Sequence, residues 1–302
     1  MSLHRLSSIT MGVPNTAETS AYYVDFGLKP EHDGWFSTRD GGRQLHIVHA
    51  PTRRLVEIVV AVDHPDDLAA AASRLKVPVD GDTLTAHEPV TGMRAVLRVE
   101  PRIEQKAVPA TPYNGPGRYE RTGTRAPGVL REGPIRPRKL GHAVLATTDL
   151  AVTSAFFMDG LGFKASDFIK DAGAFLRCST DHHNILVLRA PVTFLHHTSW
   201  QVDDVDEIGR GAFAMLEDHP ERHVWGLGRH HAGSNFFWYL KDPAGNFSEY
   251  YSDMDCVIDD QLWTPETLEG AKGLFNWGPP PPPSFLHPED LAALMIGAHS
   301  PR

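Results

Sequence analysis

The chain has 302 residues, of which 41% are apolar and 22% charged, and its formal net charge is −9. This length suits one large domain or two smaller ones, and the apolar content is enough for a buried core. The negative charge disfavours a general nucleic-acid-binding protein, and no apolar run approaches the roughly 18 residues of a membrane-spanning helix. With only two cysteines, a disulfide framework is not expected, and we predict a cytoplasmic protein.

The sequence contains an internal repeat. Residues 10–29 (TMGVPNTAETSAYYVDFGLK) resemble residues 144–164 (VLATTDLAVTSAFFMDGLGFK), and residues 55–75 resemble residues 196–216. Each segment has the pattern of a strand, a helix-capping polar residue and an amphipathic helix. The expected capping residues are Asn15 or Thr16 in the first half and Thr148 or Asp149 in the second.

Further strands follow each helix. Residues 93–100 (MRAVLRVE) read as a strand in the first half, and residues 235–242 and 246–253 read as two strands in the second. The DPAGN sequence between the last two predicts a hairpin turn. Four units are therefore expected, each a strand, a helix and several strands, with two paired units in each half. They span about 4–52, 54–101, 139–191 and 194–253.

Two segments lie outside these units. Residues 102–138 are rich in proline, glycine and arginine and are predicted to be a linker on the surface. The C-terminal stretch contains five consecutive prolines, Pro279–Pro283, which favour an extended segment. Aromatic residues on both sides of the prolines indicate that this tail packs on the body of the protein, and a short helix is expected after Pro288.

Two histidines and a glutamate are predicted to converge in the second half. His142 lies in the first strand of the third unit, His197 at the matching place in the fourth unit, and Glu249 in the last strand of that unit. Corresponding strands of paired units approach one another, so these side chains can meet. Two imidazoles and one carboxylate on one face of a metal ion leave the other positions open, as in non-haem iron(II) oxygenases.

The first half provides an internal comparison for this site. The residues aligned with the three ligand candidates are Ser8, Glu57 and Val96, and none of them is a histidine. If the histidines were needed for folding, the half with the same predicted fold would be expected to keep them. Their presence in one half alone therefore favours a chemical role.

The second half resembles a known family. The resemblance is carried by GRHHAGSNFFWYLKDPAGNFSEYY (228–251), LGHAVLATTDL (140–150), DHHNILVL (181–188) and LHHTSWQVDDVDEIGRG (195–211). These segments are similar to the extradiol ring-cleaving catechol dioxygenases of the vicinal oxygen chelate superfamily, and the first half resembles only a degenerate copy. The resemblance implies an α+β fold of four βαβββ units, paired into two similar domains, each a curved mixed sheet that forms an open barrel.

The resemblance also implies a division of the chain. We expect an N-terminal domain without metal (1–101), a linker (102–138), a catalytic C-terminal domain (139–253) and a tail that packs over the body as an active-site lid (254–302). Fe(II) is the expected metal, with Mn(II) as the alternative. The expected substrates are a catechol and O2, with no nucleic-acid or membrane partner, and a homo-oligomer is expected.

Individual residues take roles from the same resemblance. His142, His197 and Glu249 match the metal ligands, and His183 matches an acid–base histidine near the attacked ring. His230 and Tyr239 match residues that contact the bound substrates. The residues expected to bind substrate are Asn184, Phe175 and Trp225. Because side chains alternate along a strand, His182 and His196 are expected to face away from their neighbours His183 and His197.

The sequence departs from the family at two places. Val144 stands where the most similar members have an asparagine. Some members bind a substrate carboxylate with an arginine a few residues before the histidine that matches His230, and Trp225 and its immediate neighbours provide none at that position. A ring with an apolar or neutral substituent is therefore expected, because an unpaired carboxylate is costly to bury. Two other functions stay open: a metal-dependent lyase or isomerase of the glyoxalase type, and a binding protein that sequesters an aromatic ligand.

Overall fold

A computed structural model describes residues 3–297, and its elements follow the predicted order. Residues 1–2 and 298–302, the outer ends of the predicted N-terminal domain and tail, lie outside the described residues. The first half consists of β1 (Leu3–Val13), α1 (Thr16–Asp25), β2 (Lys29–Pro30), β3 (Trp35–Thr38), β4 (Gly42–His49), β5 (Arg54–Val62), α2 (Pro65–Leu75), β6 (Val79–Asp80), β7 (Thr83–His87) and β8 (Arg94–Val99).

The second half has the same sequence of elements. It consists of β11 (Lys139–Thr147), α4 (Leu150–Ala155, continued by a π-helical stretch Phe156–Leu161), β12 (Lys164–Ile169), β13 (Gly173–Arg177), β14 (Ile185–Arg189), β15 (Phe194–Gln201), α5 (Val205–Leu216), β16 (His223–Arg229), β17 (Phe236–Lys241) and β18 (Phe247–Ser252). The linker carries β9 (Asn114–Gly115), β10 (Arg118–Tyr119) and α3 (Pro127–Leu130). The tail carries β19 (Thr267–Leu268), α6 (Pro283–Leu286) and α7 (Leu291–Met295).

Each half forms one curved mixed sheet. The strand orders are β2-β3-β4-β1-β5-β8-β7-β6 and β16-β17-β18-β15-β11-β14-β13-β12-β19. In both sheets the first strands of the two units pair antiparallel at the centre, and each of them pairs in parallel with the last strand of a unit. The predicted fold of four βαβββ units in two open, barrel-like sheets is therefore confirmed.

The strand register gives each ligand candidate of the second sheet an equivalent position in the first sheet. His142 opposes Ser199 across the β11–β15 pair, and Glu249 lies beside Ser199 on β18. The residues with the same pairing in the first sheet are Ser8, Val59 and Val96. His197 opposes Val144, as Glu57 opposes Thr10 in the first sheet. The register thus agrees with the alignment of the repeat.

Local signals in the sequence act as expected. The Asp149 carboxylate accepts the Val152 backbone N–H at 3.0 Å and caps α4. In the DPAGN turn, Oδ1 of Asp242 accepts the N–H groups of Ala244 and Asn246, each at 2.9 Å. These bonds turn the chain between β17 and β18.

The two halves dock through the end of α1 and the outer face of β18. The rings of Phe26 and Tyr250 stack with centroids 3.9 Å apart, and the Tyr250 hydroxyl donates to the Phe26 carbonyl at 2.7 Å. The Tyr22 hydroxyl bonds to that of Ser248 at 2.5 Å. Since successive side chains of a strand point to opposite faces, this contact directs the intervening Glu249 to the inner face.

The tail packs along the second half. β19 pairs in parallel with β12, and Asp290, immediately before α7, forms an ion pair with the buried Arg53 at 2.7 Å. Phe285 is buried among aromatic side chains of the second sheet. Within residues 3–297, the helices are too short or too polar to cross a bilayer.

Replacing Phe26 should uncouple the two halves. We expect Phe26→Ala to lower the free energy of unfolding by about 3–5 kcal/mol, because it removes a fully buried ring from the interface. The measurement is urea unfolding followed by circular dichroism. Phe213, 71% exposed on α5, is the control, and Phe213→Ala should change stability by less than about 0.5 kcal/mol. Equal effects of the two substitutions would contradict the docking role.

Candidate metal centre

Three neighbouring strands bring His142, His197 and Glu249 together. They lie on β11, β15 and β18, which are adjacent in the second sheet, and all three side chains are buried. Nε2 of His142 lies 3.1 Å from Oε2 of Glu249 and 3.4 Å from Nε2 of His197. Nε2 of His197 lies 3.8 Å from the same carboxylate oxygen. Three ligand atoms thus surround one point.

This arrangement fits a metal ion. Ligand atoms bonded at about 2.1 Å and at right angles lie about 3 Å apart, close to the spacing of these three atoms. Oε2 of Glu249 is buried and makes no hydrogen bond of acceptable geometry with any described residue. An uncompensated carboxylate oxygen in the protein interior is costly, and a cation at this point would satisfy it.

Glu249 is held as a carboxylate by its neighbours. Burial alone raises its pKa, but His142 and His230, when protonated, interact favourably with the carboxylate, outweigh burial and bring the pKa below the usual range. The other oxygen, Oε1, accepts a hydrogen bond from the Asn235 amide at 3.2 Å. Asn235 was not singled out from the sequence. Its place in GRHHAGSN, between His230 and the strand of Tyr239, is the signal that could have identified it.

His196 sets the proton position on His197. Nε2 of His196 donates to the Phe285 carbonyl at 2.6 Å, and burial lowers its pKa to about 4, so this imidazole is neutral at pH 7. Its Nδ1 must therefore accept the hydrogen bond of 2.8 Å from Nδ1 of His197. Consequently Nε2 of His197 carries a lone pair and can bind a metal.

A β-bulge places His196 beside His197. Val144 opposes His197 and Leu145 opposes Leu195, so His196 is the extra residue on β15. The expectation that His196 faces away from His197 is therefore wrong, because strict alternation of side chains ends at a bulge. The first sheet has the same irregularity between Glu57 and Leu55.

Three further predicted residues surround the ligands. The ring of His183 lies 4.2 Å from that of His142, centroid to centroid. Tyr239 opposes Glu249 in the β17–β18 pair. His230 links Tyr239 to the tail: its Nδ1 donates to the Leu274 carbonyl at 2.5 Å, and its Nε2 lies 2.9 Å from the Tyr239 hydroxyl. The structure thus gathers the predicted catalytic residues around the predicted ligands.

The ionisation of two of these residues follows from burial. Burial lowers the pKa of His183 well below 6.5, and the neighbouring histidines lower it further. Burial, with the nearby Glu249 carboxylate, raises the pKa of Tyr239 well above 10. At neutral pH the site therefore holds a neutral imidazole that can accept a proton and a phenol that can donate a hydrogen bond.

The site opens into a cavity of about 380 Å³. Its described walls are mostly apolar and include Ile169, Ala172, Phe175, Leu186, Leu188, Ala190, Phe194, Trp225, Ala232, Leu274, Phe285 and Leu286. Phe175 and Trp225, predicted to bind substrate, thus line it. Tail residues close one side, since Leu274, Phe285 and Leu286 all belong to the tail.

Two expectations from the sequence are corrected here. Asn184 does not line this cavity. Its amide donates to the Gly141 carbonyl at 3.0 Å and accepts the Cys178 N–H at 2.8 Å, and it faces a second cavity instead. His182 does not face outward, because it is fully buried and lies 3.0 Å from Asp167. Both lie in an irregular segment just before β14, where the alternation of a strand does not apply.

Comparisons with known proteins agree with this geometry. The family model of the Glyoxalase/Bleomycin resistance protein/Dioxygenase superfamily matches residues 139–250. Metapyrocatechase 2 of Cupriavidus necator is 34% identical over 197 residues, 62% of this chain and 59% of that protein. The manganese-dependent 2,3-dihydroxybiphenyl 1,2-dioxygenase of Geobacillus genomosp. 3 is 30% identical over 157 residues, 48% of this chain and 50% of that protein. These matches thus span between half and three fifths of the length of the two relatives.

A solved structure resembles the chain over nearly its whole length. The Mn(II)-bound glyoxalase from Novosphingobium aromaticivorans is 26% identical, with a TM-score of 0.71. The alignment covers 93% of this chain and 95% of that one. The likeness therefore extends beyond the second half into the first.

Loss of one ligand should abolish tight metal binding. We expect Glu249→Gln to weaken Mn(II) binding by more than about 100-fold. Substituting a residue that only hydrogen-bonds a metal ligand already lowers metal affinity about 10- to 100-fold, and Glu249 is a proposed ligand itself. The measurement is isothermal titration calorimetry on metal-free protein. Glu57, which pairs with Arg94 in the first sheet, provides the control Glu57→Gln, for which affinity should not change. Unaltered binding by Glu249→Gln would refute the site.

Acid should destabilise the metal-free protein through His196. Burial lowers the pKa of His196 from 6.5 to about 4, so below pH 6.5 the unfolded chain takes up a proton that the folded one resists. His196 therefore lowers the free energy of unfolding only in acid: the loss is small above pH 6.5, grows as the pH falls towards 4, and is about 2 kcal/mol at pH 5. Urea unfolding at several pH values should show a shallower decrease for His196→Gln. The control is His219→Gln, because His219 is exposed, and this substitution should leave the decrease unaltered. If stability falls with pH as steeply in His196→Gln as in the unaltered protein, the role of His196 is contradicted.

Proposed function

We propose that this chain, whose residues 139–250 match the family model of the Glyoxalase/Bleomycin resistance protein/Dioxygenase superfamily, is a metal-dependent extradiol dioxygenase that opens the ring of a catechol with O2. The observation that carries the proposal is the three-ligand cluster of His142, His197 and Glu249 beside an apolar cavity that also contains His183 and Tyr239. Such a cluster occupies one face of a metal and leaves the other face to substrates.

The proposed metal is Fe(II), with Mn(II) as the alternative. A set of two imidazoles and one carboxylate suits Fe(II) oxygenases and is also acceptable to Mn(II). Manganese appears in the names of two of the similar proteins. When bound, the ion would supply adjacent positions for the catechol oxygens and for O2, holding both reactants in one geometry.

The protein's own groups would manage protons and orientation. A catechol that binds through both oxygens must lose protons, and neutral His183 lies where it can accept one. The Tyr239 hydroxyl, which lies 2.9 Å from Nε2 of His230, would turn from that nitrogen to donate to a substrate oxygen and stabilise charge that develops there. Phe175 and Trp225 line the walls of the cavity, where they would pack against the ring and exclude water.

An apolar or neutral ring substituent is proposed. Most of the described cavity-lining residues are apolar, and Arg189 is the one lysine or arginine among them. Arg189 is exposed, so it does not provide a buried partner for a carboxylate. Burying an unpaired carboxylate would be costly, which favours neutral catechols.

The rest of the proposal concerns the whole chain. We propose that residues 1–101 form a metal-free domain joined by the linker 102–138 to the catalytic domain 139–253, with the tail 254–302 as a cover over the cavity. The contacts of Leu274 and Phe285 with His230 and His196 support the role of the tail. A cytoplasmic homo-oligomer without nucleic-acid partners is also proposed, and light scattering after size exclusion would measure its mass.

A catechol panel tests the activity. Anaerobic loading with Fe(II) or Mn(II), followed by addition of O2 and substituted catechols, should give a yellow ring-opened product with one O2 consumed per catechol. Neutral, apolar-substituted catechols should have kcat/KM at least about 10-fold above carboxylate-bearing ones. Full metal occupancy without O2 consumption on any catechol would overturn the function.

A metal-dependent lyase or isomerase is the second candidate. The likeness to the Mn(II)-bound glyoxalase favours it, because that alignment covers 93% of this chain. The present cluster contributes three ligands from the described residues, which leaves more open positions than such a reaction needs. Turnover of a hemithioacetal without O2 uptake would favour this candidate over the dioxygenase.

A further inference from the structure

A buried chain of hydrogen bonds leads away from His183. Nδ1 of His183 lies 3.1 Å from Nδ1 of His182, and Nε2 of His182 lies 3.0 Å from Oδ2 of Asp167. All three side chains are buried, and His182 is completely so. Among these residues only His183 lines the cavity beside the metal ligands.

The direction of each hydrogen bond follows from chemistry. A carboxylate at neutral pH has no proton to donate, so Nε2 of His182 donates to Asp167. A neutral imidazole carries one N–H, so Nδ1 of His182 is an acceptor and Nδ1 of His183 must donate to it. Nε2 of His183 therefore has a free lone pair. Among the described residues this nitrogen has no hydrogen-bond partner, and the His183 ring borders the cavity.

The chain is fixed at its far end by the tail. The second carboxylate oxygen of Asp167 accepts the Glu266 backbone N–H at 2.8 Å. Trp263 packs edge-on against the His182 ring with centroids 5.2 Å apart. Gly233 closes the other side: it has φ of +79°, and a Cβ atom there would lie 3.2 Å from the ring. The His182 ring therefore has little freedom to rotate.

We propose that Asp167 and His182 are positioning residues that hold His183 as the Nδ1–H tautomer, with Nε2 free to accept a proton from substrate. The inference rests on the proposed function for the role of His183, but the tautomer itself does not depend on it. Nothing in the sequence distinguishes Asp167 from other acidic residues. Only the fold brings it to His182.

The pair His196–His197 differs from the pair His182–His183 in a way that fits a ligand role for His197 and an acid–base role for His183. Both histidine pairs join through Nδ1 atoms, at 2.8 Å and 3.1 Å. The chain behind the metal-ligand candidate His197 ends at a neutral carbonyl, that of Phe285. The chain behind His183 ends at a carboxylate. A neutral carbonyl is enough to fix the tautomer of a metal-ligand histidine. A carboxylate also stabilises a protonated imidazole, which an acid–base histidine needs and a ligand does not.

Nitrogen NMR of the metal-free protein tests the tautomer directly. Long-range 1H–15N correlations of 15N-histidine-labelled protein at pH 7.5 distinguish Nδ1–H from Nε2–H rings, and the signals absent from His183→Gln identify His183. We expect the Nδ1–H pattern in the unaltered protein. The Nε2–H pattern would overturn the proposal, and this result requires no variant of Asp167 or His182 to fold.

Variants separate positioning from packing. Asp167→Asn and His182→Phe should convert His183 to a mixture of tautomers or to Nε2–H. His182→Gln should keep the Nδ1–H form, because an amide also offers one donor to Asp167 and one acceptor to His183. The matched control is Asp181→Asn: Asp181 is adjacent in sequence and buried but pairs with Lys139. An Nδ1–H form that persists in both Asp167→Asn and His182→Phe would overturn the proposal.

Kinetics of the metal-loaded enzyme give a second readout. We expect Asp167→Asn and His182→Phe to lower kcat about 10- to 100-fold, with little change in the KM for catechol. His182→Gln should recover part of that loss, and Asp181→Asn should match the unaltered enzyme. Unchanged kcat in both Asp167→Asn and His182→Phe would count against the proposal. Absence of turnover in every protein would refute the proposed function alone, because the NMR result stands without it.

Discussion

Three electron-rich atoms that converge inside the protein are the constraint on which the proposed metal site depends. Nε2 of His142, Nε2 of His197 and Oε2 of Glu249 lie 3.1–3.8 Å apart, and all three side chains are buried. Such atoms repel unless a proton or a cation lies between them, so the fold must hold them there by other contacts. It does so with three adjacent strands, and the stacking of Phe26 on the outer face of β18 fixes the direction of Glu249.

Hydrogen bonds behind the histidines decide which nitrogen faces the cavity. For His197 the neighbour is His196, bonded in turn to a tail carbonyl, and for His183 it is His182, bonded to Asp167. The tail contributes to both arrangements, through Phe285 in one and through the backbone of Glu266 in the other. A segment outside the two sheets thereby influences the proton positions of the site, and its removal would be expected to affect chemistry as well as access.

The first sheet shows which features belong to the fold and which to the chemistry. It has the same strand order at its centre, the same register and equivalent irregularities in its two central strands. At the three ligand positions it has Ser8, Glu57 and Val96, and Glu57 there forms an ion pair with Arg94. The backbone therefore does not require the ligands. The bulge between Glu57 and Leu55 is also present without a histidine pair, so it is a property of the paired units that the second half uses to place His196 beside His197.

The sequence by itself determined the four units, their order and the three residues that meet between them. Hydrophobic periodicity and capping residues are local signals, and the internal repeat is enough to align Ser8 with His142. The sequence did not determine the neighbours of the histidines: alternation predicted that His182 and His196 face away, and Asn184 was expected in the cavity. Only the tertiary structure decided these, because a bulge at His196 and an irregular segment before β14 break the period of a strand. Asp167 and the carbonyl of Phe285 reach the two histidine pairs through contacts between segments distant in sequence, and no local pattern encodes such contacts.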